Sequence, residues 1–336
     1  MTSPAAASLA LPILDPDLAA RLRARMGEVE DELERSIQSE AGFVTEAARH
    51  LMDAGGKRLR PLLVLLAAET GDPFADGVVT SACVVELTHL ASLYHDDVMD
   101  EADLRRGAPS ANARWDNLVA ILTGDFLFSK SSELTARLGA DAVKIQAETF
   151  TRLVEGQILE TLGAGDGDPL EHYLRVVAGK TGSLISTSAR YGARFSGASL
   201  EVEQALTAYG ARVGSAFQLS DDILDVSSGS DESGKTPGTD LREGVDTLPV
   251  LLAKRSTDPA DARLLELLAA DLSDDDDDRH AEALDLLRRH PAMDEARAYV
   301  LDRADEARAL LTVLPEGSPV REALDAFAAA VAVRTA

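Results

Sequence analysis

The sequence predicts an all-α protein, and two observations carry that expectation. Alanine and leucine dominate the 336 residues while aromatic residues make up only 4%, a composition that favours helix. No stretch alternates apolar and polar residues for long, so the period-two signature of a half-buried strand is missing. No fixed repeat of 20 to 50 residues recurs, which argues against a solenoid. The length is enough to bury a large core. The single Cys83 leaves no partner for an intramolecular disulfide and no basis for a cysteine metal cluster, as suits a reducing cytoplasm. The start, "MTSPAAASLALPILDPD", lacks the basic residues of a signal peptide and is broken by prolines, so residues 1–14 read as a flexible segment and 15–336 as one domain. The run "PLLVLLAA" is far short of the ~18 apolar residues of a membrane span. A net charge of −25 argues against nucleic acid as a partner, because duplex binding relies on a basic face. It also makes two basic islands conspicuous, "GGKRLR" at 55–60 and "LRRG" at 104–107, and compact basic islands in an acidic chain suit a small anion.

The elements follow in order. Residues 15–53 read as helices with charged faces. "DAGGKRLRP" breaks the pattern with two glycines, and Pro61 suits the first turn of the next helix. "PLLVLLAAET" is apolar nearly all round and therefore central. Gly71, Asp72 and Pro73 end it, and a second buried helix runs over about 78–100. Further helices are expected at roughly 115–138, 141–163, 170–193, 200–226, 246–255, 259–271, 280–290, 293–313 and 318–334. The run "SDDDDD" at 273–278 reads as a solvated loop or helix start, without the glycine and alternating ligands of a calcium loop.

"LYHDDVMDEADLRRG", residues 93–107, ends the second buried helix and poses the chemical question. Asp96 and Asp100 lie one turn apart on one side, with Asp97 close to Asp100. Like charges at this spacing destabilise a helix, and more so in a cleft, unless the acids are protonated or neutralised. A solvated helix end would account for one such motif. "FQLSDDILDV" repeats it with Asp221, Asp222 and Asp225, again at the end of an apolar helical run, and two copies point to Mg2+, which takes oxygen ligands and bridges carboxylates to phosphates. Lys57 and Arg60, with the amides of the Gly55–Gly56 loop and a helix start, make an anion cradle. Arg105 and Arg106 stand beside the first acid motif, where a guanidinium fork suits phosphate oxygens. His89, two turns before Asp96, shares its face. Lys180, Thr181 and Lys235 lie in "AGKTGSLIS" and "SGKTPGTD", which read equally well as solvated loops or helix breaks.

Together "GGKRLRP", "ELTHLASLYHDDVMDEADLRRG", "GDFLFSK", "GKTGSLI", "GSAFQLSDDILDV" and "GKTPGTDLREGVDTLP" resemble the trans-polyprenyl diphosphate synthases of the polyprenyl synthetase family, over roughly residues 40–255. The resemblance implies the isoprenoid synthase fold, ten or more helices around a deep central cavity, working as a homodimer, with residues 15–336 as its single catalytic domain. It implies that Lys57, Arg60, His89 and Arg106 hold isopentenyl diphosphate, and that Arg105, Lys180, Thr181, Gln218 and Lys235 hold the allylic diphosphate. Asp96, Asp100 and Asp221 would be the principal ligands of Mg2+, three ions with substrate bound, with Asp97, Asp222 and Asp225 assisting or orienting water. One departure is Val245, where the family often has lysine. The implied reaction is loss of diphosphate to leave an allylic cation, attack by the double bond of isopentenyl diphosphate, and loss of a proton. Charge stabilisation drives the first step, an apolar cavity keeps water from the cation, and released diphosphate is the implied proton acceptor.

A class I terpene cyclase would also ionise an allylic diphosphate, but would need neither the "GGKRLRP" loop and His89 nor a second DDxxD. A non-catalytic partner subunit would be expected to lose the acid motifs. Product length is expected to turn on Ala91 and Ser92, since Ser92 lies one turn, about 5.4 Å, beneath Asp96. Short-chain members of the family tend to carry a bulky aromatic at one of these positions. Small residues here imply a long product of about eight to ten isoprene units, of the kind used for quinone side chains, with Leu134 as a deeper floor; a geranylgeranyl or similar product is the alternative. Ala91→Phe or Ser92→Phe should then shorten the product to about three or four units with turnover retained. Product analysis by chain length tests this, and an unchanged length with phenylalanine at both positions would refute the placement.

Overall fold

The computed structural model describes residues 13–227, 237–272 and 277–333. Within them the chain forms sixteen α-helices and one short hairpin. In order these are α1 (Pro16–Ser36), α2 (Gly42–Asp53), α3 (Leu59–Ala68), α4 (Gly77–Met99), the strands β1 (Leu104–Arg105) and β2 (Ala108–Pro109), α5 (Ala111–Arg114), α6 (Asn117–Arg137) and α7 (Ala140–Leu162). There follow α8 (Pro169–Val177), α9 (Ser183–Phe195), α10 (Leu200–Ser227), α11 (Thr239–Arg242), α12 (Leu248–Ala253), α13 (Ala262–Leu268), α14 (Asp277–Arg289), α15 (Ala292–Leu310) and α16 (Pro319–Val333). These group into two compact units. The first takes the described residues up to 151 with 184–210 and 310–326, the second 152–183, the described part of 211–309, and the end of α16.

The first unit is built on α3 and α4. Every residue of α3 from Pro61 to Ala68 is buried, as an all-round apolar helix must be. The helix α4 packs against α1, α3 and α6. It is longer than "PLLVLLAA" and, among the described residues, is the one helix long and apolar enough to cross a membrane; 72% of that stretch is buried against the protein itself. The start of α1 is set locally, since Asp15 Oδ1 accepts from the amide of Leu18 at 2.7 Å and Pro16 takes the first helical position. Its Leu18, Leu22, Val29 and Leu33 then recur at helical spacing and are buried. Three buried tyrosine hydroxyls each find a main-chain carbonyl: Tyr94 that of Ala47, Tyr191 that of Ala142 and Tyr209 that of Leu324. Each ring thereby joins two segments without stranding its polar end.

In the second unit the expected helix at 170–193 is interrupted. α8 stops at Val177, a π-turn runs over Ala178–Gly182, and α9 begins at Ser183. The cause is a close backbone crossing with α7. A Cβ on Gly156 would lie 2.6 Å from the amide nitrogen of Lys180, and one on Gly179 would lie 2.9 Å from the carbonyl oxygen of Arg152. Only glycine lets the two backbones approach so closely. α5, α11 and the hairpin were not expected, being too short to show a helical or strand period. The expected helix at 259–271 is a 3₁₀ turn, Pro259–Asp261, followed by α13. Of the acidic run, Asp277 and Asp278 are exposed at the start of α14; the rest lies outside the described residues, as do residues 1–12 of the expected N-terminal segment.

Gly192 marks where α9 meets α3 in the first unit. A Cβ there would sit 2.1 Å from the carbonyl oxygen of Val64 and 2.7 Å from Ala67 Cβ. Gly192→Ala should therefore destabilise the protein by roughly 2–3 kcal/mol, an overpacking cost. Denaturant unfolding would measure it, and a loss below about 0.5 kcal/mol would mean that the helices separate freely.

Candidate active site

Both acid motifs occupy helix C-termini. Asp96 and Asp97 lie in the last turn of α4 with Asp100 capping it, while Asp221, Asp222 and Asp225 lie in the last two turns of α10. The C-terminal end of a helix carries about half a negative charge, which adds to the carboxylates instead of offsetting them. Such an arrangement asks for a cation. The two motifs belong to different units.

Each motif buries its second acid. Asp97 is fully buried; its Oδ1 accepts from Arg105 Nε at 2.5 Å, and its Oδ2 has no hydrogen-bond partner. Burial pushes the Asp97 carboxyl above its ordinary range, against the opposing pull of Arg105. Asp222, 3% exposed, accepts from the Tyr173 hydroxyl on one oxygen and from Gln218 Nε2 at 3.2 Å on the other. Burial raises its carboxyl far above the usual range, and neighbouring Asp240 and Asp225 add to that. Asp96, Asp221 and Asp225 are half-buried, and Asp100 is exposed. Asp225 also takes the amides of Thr239 and Asp240, both at 3.2 Å, and so ties the start of α11 to the end of α10. Among the described residues no group of three or more acids or histidines could hold a metal ion without help. The donors are hard carboxylate oxygens, one of them a buried orphan, which fits Mg2+ completed by water and substrate oxygens.

The cations of the first unit gather beside α4. Arg58, in the left-handed conformation at φ 48°, is the N-cap of α3. Its guanidinium is buried between Glu30 at 2.7 Å and Glu86 at 3.2 Å, and also donates to the carbonyls of Gly55 and Met52. Burial works against the charge of Arg58, but Glu86 and Glu30 more than offset it. The hairpin turns on Arg106 and Gly107, both with positive φ, as a two-residue turn between twisted strands requires. That turn sends Arg106 back onto the loop, where it donates to the carbonyls of Leu51 and Gly55. A Cβ on Gly56 would lie 2.8 Å from Arg106 Cζ, so the second glycine of the loop makes room for the guanidinium. Arg60, half-buried, has a buried Nε without a partner. Burial pulls its pKa down to about 10, with Glu86 opposing and Arg106 adding to the fall. Burial, then Arg60 and Arg106, hold the His89 imidazole well below its ordinary pKa, so it is neutral at pH 7. Lys57 is exposed on the loop. A cluster of cations that repel one another, one with an orphaned donor, is short of an anion.

In the second unit Lys180 Nζ pairs with Glu160 at 2.6 Å, and Thr181 Oγ1 donates to Gln218 Oε1 at 3.0 Å. Gln218 thus links Thr181 to Asp222. Lys235 lies outside the described residues. Val245 is 41% exposed and donates its amide to Asp240. Ala91 and Leu134 are buried on α4 and α6, and the Ser92 hydroxyl turns to the carbonyl of His89. One turn below Ser92, Thr88 and Ser131 share a hydrogen bond at 2.8 Å, and Gln146 donates to Thr88 at 2.6 Å.

Glu30, Arg58, Glu86 and Tyr173 escaped the sequence reading. A signal existed for Glu86, a lone acid in the apolar run "ACVVELTHLA"; for Tyr173 there was none, because its partner is 49 residues away.

The family model described as "Polyprenyl synthetase" matches residues 42–287. A nonaprenyl diphosphate synthase of Mycobacterium tuberculosis is 48% identical over 97% of either chain. The crystal structure of a geranylgeranyl pyrophosphate synthase from Corynebacterium glutamicum, complexed with calcium and isoprenyl diphosphate, superposes with a TM-score of 0.87 at 46% identity, covering 97% of this chain and 99% of that one. A decaprenyl diphosphate synthase from Rhodobacter capsulatus gives a TM-score of 0.86 at 36% identity, over 95% of this chain and 99% of that one. The chain belongs to the polyprenyl synthetase family, and its helical architecture is the isoprenoid synthase fold of these structures.

Arg58→Ala should cost about 3–5 kcal/mol, because it leaves Glu30 and the buried Glu86 without their partner. Adding Glu86→Gln should recover part of the loss. Unfolding free energies of the single and double variants test this; simple additivity would mean that the two side chains do not act as a pair.

Proposed function

We propose that this protein is a prenyltransferase that condenses isopentenyl diphosphate with an allylic diphosphate and releases a long all-trans polyprenyl diphosphate of about eight to ten units. The observation that carries the reading is that each unit ends a helix on an acid motif, and that the first unit gathers a self-repelling cation cluster beside its own: the acids want a metal, the cations want phosphate. Similarity to a nonaprenyl diphosphate synthase and small side chains at Ala91 and Ser92 support the length. The similar geranylgeranyl pyrophosphate synthase keeps a shorter product as the second reading.

Lys57, Arg60 and Arg106, with the neutral imidazole of His89, bind the diphosphate of the isopentenyl substrate. Arg105, Lys180, Thr181, Gln218 and Lys235 serve the allylic diphosphate. Asp96, Asp100 and Asp221 would hold three Mg2+, with Asp97, Asp222 and Asp225 in support. When bound, the metal supplies a Lewis acid that stabilises departing diphosphate. The protein's own part is orientation: Arg105 holds Asp97 so that its neighbours face outward, and the Arg58 anchor holds the Gly55–Lys57 loop in register with Arg60. Residues 15–336 act as one catalytic domain. The working form is a homodimer, which accounts for the exposed Leu118, Ile121 and Leu122 on α6. The place of action is the cytoplasm, where the lone, buried Cys83 is kept as a thiol.

Incubation of the purified protein with both diphosphates and Mg2+, followed by product identification, tests the function. Turnover should vanish in excess chelator and fall by at least about 10³-fold, roughly 4 kcal/mol, in Asp96→Ala or Asp221→Ala, while the fold survives. Full activity in chelator would sink the proposal.

A further inference from the structure

Asp222 sits at the end of α10 with both carboxylate oxygens engaged by other side chains, 3% exposed. An acid so placed does not face outward; it is held. Of its two side-chain donors, Gln218 is on α10 itself, one turn earlier; the main chain of Leu248 supplies a further hydrogen bond. The other side-chain donor, Tyr173, comes from α8 and ties that helix directly to an acid of the motif.

The segment that brings Tyr173 there is built to do so. α8 starts on Asp168, whose Oδ1 accepts the amide of Glu171 and whose Oδ2 pairs with Arg255 at 2.6 Å. His172, buried beside Tyr173, meets the carbonyl of Leu159 on α7 at 3.0 Å, while Val176 and Val177 are buried. The backbone of α8 is therefore fixed on either side of Tyr173. Eight residues later Thr181 reaches Gln218, four residues before Asp222 on the same face of α10. In an unbroken α-helix Thr181 would point about 80° away from Tyr173. The wider π-turn at Ala178–Gly182 takes up much of that difference, so that both hydroxyls meet one stripe of α10. Tyr173, Thr181, Gln218 and Asp222 thus form one hydrogen-bonded chain.

We propose that Tyr173 is a positioning residue for the second acid motif: its hydroxyl locks the Asp222 carboxylate against Gln218 and thereby fixes the end of α10 from which Asp221 and Asp225 project. Removing the hydroxyl leaves the ring in place but frees Asp222 to turn, and its neighbours lose their shared orientation. The inference rests on the metal-dependent condensation proposed above.

The test uses the full chain, wild type and Tyr173→Phe side by side. Two readouts are taken: condensation turnover, and binding of Mn2+ in the presence of saturating inorganic diphosphate, followed by the electron paramagnetic resonance signal of the free ion. Tyr173→Phe should lower kcat by tenfold or more, leave KM for isopentenyl diphosphate within twofold, and weaken Mn2+ binding at least fivefold. In an Asp222→Asn background the same substitution should change Mn2+ binding less than twofold, since the acid it positions is gone. Unchanged Mn2+ affinity and kcat in Tyr173→Phe would overturn the proposal, as would an equal loss of Mn2+ affinity with and without Asp222, which would mark Tyr173 as merely structural. A wild-type protein that binds Mn2+ but makes no prenyl product would instead refute the proposed function.

Discussion

Burial of one carboxylate in each acid motif is the constraint from which most of the local architecture follows. A carboxylate removed from water costs several kcal/mol unless donors replace its hydration. Asp97 is fully buried and needs Arg105, which requires the chain to reverse direction a few residues after α4. The bend falls between α4 and β1, where Glu101 takes a positive φ of 49°, and the hairpin turn at Arg106 and Gly107 follows Arg105. Asp222 needs Tyr173 and Gln218, so α8 must lie fixed in the second unit, and the π-turn must rotate Thr181 into line. In each case an unusual piece of backbone adjoins the donors of a buried acid.

The cationic side obeys the complementary rule. Arg58 is the one guanidinium of the "GGKRLR" loop fully supplied with acceptors, two carboxylates and two carbonyls. Its charge is spent internally, and what remains for a ligand is Arg60, whose Nε has no acceptor. Neighbouring residues of one motif thus serve opposite ends, one as an anchor and one as a binding group. Glu86 stands at the centre because it lowers the repulsion among Arg58, Arg60 and Arg106 without quenching it.

The long helices were legible because each buries a stripe or a whole circumference of apolar side chains, as in α1, α3 and α4, and their limits agree with the sequence reading within a few residues. The acid motifs and the basic islands were legible as charge patterns that make no sense on their own. Illegible were the features set by contacts distant in sequence: the break between α8 and α9, which depends on Gly156 lying under Gly179, and the hold of Tyr173 on Asp222. The role of Arg58 was hidden for a related reason. In sequence it is one more basic residue among three, and only the folded chain separates the anchor from the binding groups.

The carbonyl of Gly55 accepts from both Arg58 and Arg106, and Gly56 leaves the space in which the second guanidinium lies. Two positions fifty residues apart are therefore coupled in one direction. A side chain at position 56 fits only if the end of Arg106 swings out of this pose and gives up its bonds to Leu51 and Gly55. A smaller residue at position 106 relieves that crowding and asks nothing of position 56, so drift in the loop waits on drift in the hairpin and not the reverse.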